Sequence, residues 1–126
     1  MDVFKTQGAF SWSELMTTDP TAAVAFYTKL FGWGVQDMDM GTGPYHVVKV
    51  GETSVAGIMG MPPGAAAMPP SWGCYVTVDN VDQTLARCSE LGGKTLVPPM
   101  DVPGVGRMAV LQDPLGAVLS VMTYSM

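Results

Sequence analysis

The chain has 126 residues, 48% of them hydrophobic and only 13% charged, a balance that excludes a disordered chain and suffices for one domain with a sizeable core. Eleven acidic against six basic residues give a net charge of -5 with no basic cluster, which argues against a nucleic-acid partner and against an anionic membrane surface. No stretch approaches the roughly 20 apolar residues of a membrane span, and Met1-Asp2-Val3-Phe4-Lys5 lacks the regions of a signal peptide, so a cytoplasmic location is expected.

The chain repeats itself at a shift of 61 positions. Val24 then falls on Leu85, Ala25 on Ala86, Leu30 on Leu91, Gly32 on Gly93 and Asp19 on Asn80. Each copy starts with a strand. In the first, Thr18 or Asp19 caps a helix, Pro20 suits its first turn, and Ala23, Phe26, Tyr27, Leu30 and Phe31 form a buried stripe before Gly32. Extended segments follow at Gly34 to Met40, Tyr45 to Val50 and Ser54 to Gly60, with turns at Gly41-Thr42-Gly43-Pro44 and Gly51-Glu52.

A proline-rich stretch, 61–70, then reads as a crossover linker, because its prolines bar it from a central strand. In the second copy Asp79 or Asn80 caps a helix with the stripe Val81, Leu85, Cys88 and Leu91, ended by Gly92-Gly93. Strands are expected at Lys94 to Val97, Arg107 to Gln112 and Ala117 to Tyr124. A loop at Pro98 to Gly106 and an Asp113-Pro114-Leu115-Gly116 turn separate them. Cys74 and Cys88 are expected as free, buried packing thiols.

The fold class this predicts is α+β: two βαβββ modules forming facing curved mixed sheets around a cleft, with the helices outside. The whole chain, 1–126, is one domain, with module one at about 8–60, the linker at 61–70 and module two at about 71–125.

Several segments resemble the glyoxalase/bleomycin-resistance/extradiol-dioxygenase (vicinal oxygen chelate) superfamily, over nearly the whole chain. They are the run from Glu14 through Asp19-Pro20 to Phe26-Tyr27 and Leu30-Phe31-Gly32-Trp33, then Val78-Asp79-Asn80-Val81-Asp82, and Asp113-Pro114-Leu115-Gly116 before a final apolar strand. Gly43-Pro44-Tyr45, Val55-Ala56-Gly57-Ile58-Met59 and the stretch from Val97 to Arg107 look like a glyoxalase-like subgroup. The resemblance implies a divalent metal held by His, Glu or Gln on the first and last strands of each module. Carried over, those positions are Trp12, Gly57, Gly73 and Ser120, none an ordinary ligand. No metal and no other cofactor is therefore expected.

With Trp12 in a ligand's place, strand alternation sets Phe10, Glu14 and Met16 beside it. Tyr75 and Thr77, then Ser120, Met122 and Tyr124, join from the second module. This surface suits a small, partly apolar or aromatic molecule, although the same residues also suit plain packing between sheets. Glu14, on an apolar wall, would have a raised pKa and is the candidate general base. The alternative is an enzyme, a lyase, isomerase or oxygenase, that works by acid–base chemistry or recruits a divalent metal through Glu14 and the lone histidine, His46. Asp101, Arg107 and Gln112 flank the second-module loop, as gate or as solvated surface. Relatives of this kind and a mean hydropathy of +0.25 together suggest a homodimer.

Overall fold

The computed structural model describes residues 1–39, 43–61 and 69–125. The predicted Gly41-Thr42 turn and most of the 61–70 linker lie outside the described residues. The elements run β1 (Phe10–Thr17), α1 (Pro20–Phe31), β2 (Gly34–Asp39), β3 (Pro44–Val50), β4 (Thr53–Gly60), β5 (Ser71–Thr77), α2 (Val81–Glu90), β6 (Lys94–Val102), β7 (Gly106–Gln112) and β8 (Val118–Tyr124). The chain divides into two compact units, Trp12–Gly73 and Met1–Ser11 with Cys74–Met126. The first eleven residues thus cluster with the second βαβββ repeat.

In the Trp12–Gly73 unit the strands lie in the order β2-β3-β4-β1, with β1 parallel to β4 and the other neighbours antiparallel. Asp19 caps α1 by accepting from the Ala22 N–H at 3.0 Å, Pro20 opens the helix, and Gly32 closes it in the left-handed region. Ala23, Val24, Tyr27 and Trp33 pack against Leu15, Val48, Ala56 and Ile58 on one sheet face. Ile58 and Val48 are fully buried, and each contributes about 1.5–3 kcal/mol by leaving water.

This packing corrects the expected stripe on α1. Phe26, Leu30 and Phe31 are 59%, 57% and 58% exposed. The helix meets its sheet along Ala23, Val24 and Tyr27, which leaves the Phe26–Leu30 flank turned to solvent.

In the other unit the order is β5-β8-β7-β6, with β5 parallel to β8. Asn80 caps α2, accepting from the Gln83 N–H at 2.9 Å. Val81 and Leu85 pack with Val78, Ala109 and Val121 on one face, whereas Leu91, expected in the stripe, is exposed just past the helix end. The Asp113–Gly116 turn forms as expected, with Asp113 Oδ1 accepting from the Leu115 and Ala117 amides.

Two further expectations change. Strand β6 continues through Pro98 and Pro99 to Val102, where a loop was predicted. Among the described residues it pairs only with β7, so the missing proline N–H groups are tolerated there, and register shifts between Thr95 and Met100 absorb the mismatch. Both thiols are free, but Cys74 is exposed and Cys88 half-buried, not the buried pair expected.

Arg107 holds β7, β6 and α2 together. Its Nε and Nη2 donate to both oxygens of Asp82 at 2.8 and 3.0 Å, and Nη1 donates to Asp101 at 3.0 Å. Arg107 is thus joined to Asp101 and Asp82 by exposed ion pairs. The Arg107 hydrogen bonds hold the Asp82 carboxyl below its ordinary value of 3.8. A depressed folded-state value means the pair supports the fold above that pH and loses its support as pH falls through the folded value. Asp82→Asn is therefore expected to melt below the wild type at neutral pH, with the gap narrowing as pH falls below the ordinary value of 3.8. A gap that stays constant in calorimetry contradicts this linkage.

Candidate functional site

The two-residue period of a strand sends alternate side chains to opposite faces. In the Trp12–Gly73 unit, Glu14 pairs with Gly57, and Gly57 with Val47. These three share the face opposite α1, as do Trp12 and Met16, two positions either side of Glu14. Tyr45, two before Val47, belongs to the same face and pairs with Met59, which in turn pairs with Met16.

Three polar side chains on that face form one directed chain. The Trp12 Nε1–H donates to the Tyr45 hydroxyl at 2.9 Å, and that hydroxyl donates to Glu14 Oε2 at 2.6 Å. The indole end fixes the first step, because an indole N–H can only donate. The second distance lies at the short end of the O–H···O range. Glu14 is only 6% exposed, while Trp12 and Tyr45 are half-buried. The arrangement brings an indole, a phenol and a carboxylate together on one sheet face.

Sequence reasoning placed Trp12, Glu14 and Met16 together, and the register keeps them on one face. It did not find Tyr45. The available signal was Gly57, a glycine inside a strand, which often marks the close approach of another group. Here that group is Tyr45: a Cβ at position 57 would overlap the phenol.

His46 sits next to Val47 and so points to the opposite face from Glu14. Its Nδ1 lies 2.6 Å from Asp37 Oδ1. Glu14 and His46 therefore do not share a site, which corrects the pairing considered from sequence; strand alternation is the reason. Phe10, expected beside Trp12, is exposed and belongs to the other compact unit.

In that other unit, Tyr75 pairs with Ser120, and Thr77 with Met122. All four are buried on the face opposite α2. The chain's own first residues engage part of this set. Thr77 Oγ1 donates to the Val3 carbonyl at 2.6 Å, the Phe4 ring meets Tyr124 edge-on at 5.0 Å, and Ser11 Oγ lies 2.7 Å from the Tyr124 hydroxyl. Thr77 and Tyr124 thus hold the N-terminal segment. A broad open depression of about 570 Å³ runs along α2, lined by Gln7, Asn80, Gln83 and Arg87 among others. Its polar groups serve the fold: Asn80 caps α2, Gln7 accepts from the Asp79 amide and Arg87 pairs with Glu90.

The four positions implied for a metal do not fit one. Trp12 offers only an N–H donor, Gly57 and Gly73 have no side chain, and Ser120 is a lone hydroxyl. Among the described residues, no three of His, Cys, Asp or Glu converge to hold an ion.

The model of the Glyoxalase/Bleomycin resistance protein/Dioxygenase superfamily matches residues 9–121. A glyoxylase-named protein of Mycobacterium tuberculosis, CFP32, is 42% identical over 91% of this chain and 45% of its own. The anthracycline biosynthesis protein DnrV of Streptomyces peucetius is 35% identical over 90% of this chain and 46% of its own. The chain thus spans about half the length of the curated relatives it matches. Among solved structures, methylmalonyl-CoA epimerase of Streptomyces coelicolor, in complex with 2-nitronate-propionyl-CoA, superposes with a TM-score of 0.67. It is 16% identical and covers 96% of this chain and 100% of the epimerase. Homoprotocatechuate 2,3-dioxygenase of B. fuscum gives a TM-score of 0.63 at 20% identity, over 93% of this chain and 32% of that one. These likenesses show a shared fold.

Tyr45→Phe deletes both hydrogen bonds of the chain and takes a donor from a buried carboxylate. A loss of about 1–3 kcal/mol is expected in urea unfolding, with the fold retained. An unchanged midpoint would mean that the phenol hydroxyl carries no weight in the folded state.

Proposed function

The chain belongs to the glyoxalase/bleomycin resistance protein/dioxygenase superfamily, and within it we propose that the protein binds a small, partly apolar or aromatic molecule without the family's metal. The proposed surface is the α1-free face of the Trp12–Gly73 unit, with Trp12, Glu14 and Met16 as contacts and Tyr45 among them. The single observation that carries this reading is the Trp12–Tyr45–Glu14 hydrogen-bond chain, which sets two flat aromatic groups before a buried acceptor. Aromatic faces supply contact area at little entropic cost, and a few fixed polar groups supply orientation. The name of one relative, an anthracycline biosynthesis protein, fits a flat polycyclic ligand. Cytoplasmic residence belongs to the same reading, supported by the two free thiols.

A second reading, acid–base catalysis by Glu14, draws on the 2.6 Å bond that links its carboxylate to the Tyr45 proton.

Self-association is part of the proposal. Phe26, Leu30 and Phe31 project from α1, and ring contacts continue the apolar surface through Tyr27 to Trp33 and Trp72. Lys29 is the only charge on this helix in a chain of net charge -5, so two copies meet there without acidic repulsion. The curated relatives carry further chain of about this length, which a second copy would stand in for.

Titration of the protein with a fluorescent anthracycline tests the binding reading. The Trp12→Ala variant is expected to bind at least about tenfold more weakly than the wild type while keeping its fold. Equal affinity, or no binding by either protein, counts against this ligand class at Trp12. In sedimentation, Leu30→Asp is expected to shift a wild-type dimer to monomer; a monomeric wild type at every concentration refutes the homodimer.

A further inference from the structure

Gly57 has no backbone reason to be glycine. It lies inside β4, and its φ is not among the positive values found at turn glycines such as Gly32 and Gly51. A mid-strand glycine is destabilising relative to alanine, so its presence calls for a spatial cause. The cause is visible: any Cβ there would overlap the Tyr45 hydroxyl and the ring carbons beside it.

Position 57 is also the neighbour of Glu14 in the parallel β1–β4 pair. A side chain at 57 would rise from the same face, beside the carboxylate, at the spacing at which cross-strand neighbours touch. A coordinating group there, next to Glu14, would begin a cation site. The phenol fills that room and at the same time donates to Glu14 Oε2. We infer that Tyr45 is the specificity-determining residue of this site: by occupying the space of a position-57 side chain and engaging Glu14, it excludes a divalent cation and keeps the carboxylate as an acceptor for an organic ligand's donor. This rests on the binding function proposed above and names the residue that sets its selectivity. It also explains why the metal position implied by the family at Gly57 carries no ligand: the glycine and the tyrosine are two halves of one interlock.

The tag-free 126-residue wild type is compared with Glu14→Gln, Gly57→His, Tyr45→Ala, the Tyr45→Ala/Gly57→His double variant, and that double variant carrying Glu14→Gln. Thermal melting and calorimetric titration with Ni²⁺ are the two readouts. Gly57→His alone is expected to lower the melting temperature by about 10 °C or more, or to fail to fold. In the Tyr45→Ala background the loss caused by Gly57→His should shrink by at least about half. The double variant should bind Ni²⁺ at least about tenfold more tightly than the wild type, and Glu14→Gln should remove that gain.

Gly57→His melting with the wild type, or a folded double variant with no Glu14-dependent gain in Ni²⁺ affinity, overturns the interlock. So does stoichiometric Ni²⁺ binding by the wild type that Glu14→Gln abolishes. Stoichiometric wild-type binding that survives Glu14→Gln instead sinks the metal-free clause of the proposed function, while the melting comparison still decides the interlock.

Discussion

A carboxylate that is 6% exposed on a sheet face has to be hydrogen-bonded, and at Glu14 the Tyr45 phenol is one group that does it. Much of this half of the protein follows from that requirement. Tyr45 reaches Glu14 by leaning over β4, which requires the residue beneath to have no side chain, and Gly57 meets that need. The indole of Trp12, with one donor and no acceptor, completes the chain from the other end. Strand β1 thus contributes two residues to a polar line and β3 one, and Gly57 on β4 contributes only its lack of a Cβ.

The same alternation that assembles this face builds the opposite one. Leu15, Val48, Ala56 and Ile58 are the strand neighbours of Glu14, Val47 and Gly57, and they meet α1. Chemistry and core are therefore separated by one residue along each strand. A register slip of one position would exchange them, turning the carboxylate into the helix interface. The apolar packing holds the register, and the register holds the polar chain.

This division explains what was legible in the sequence. The helix caps Asp19 and Asn80, the Gly32 stop and the Asp113–Gly116 turn are local signals that act within a few residues, so the βαβββ repeat could be read directly. The helix stripe was less legible, because periodicity shows that Phe26 and Tyr27 are apolar but not which side the sheet will take. Pro98 and Pro99 argued for a loop; only the edge position of β6, a tertiary fact, lets them extend the strand. Trp12 and Glu14 could be placed on one face because they lie two apart on a single strand. Tyr45 could not be joined to them, since that contact spans strands and depends on the β3–β4 register. For the same reason His46 could not be assigned its face, and it lies with Asp37 on the side away from Glu14.

The family's fold is shared with enzymes as different as an epimerase and a dioxygenase, so the fold leaves the chemistry open and the side chains must decide it. The face carrying Trp12 is the crux, and the chain's three tryptophans provide a direct report on it. Trp33 and Trp72 belong to the α1 aromatic cluster, with the Trp72 Nε1–H donating to the Tyr27 hydroxyl. The most direct measurement is a ¹⁵N NMR titration with an anthracycline that follows the three indole N–H resonances, that of Trp12 assigned by Trp12→Phe. If the ligand docks against the hydrogen-bond chain, the Trp12 resonance moves while those of Trp33 and Trp72 hold still. Movement of Trp33 or Trp72 with Trp12 unchanged would put the ligand on the helix side and contradict the site described for this protein.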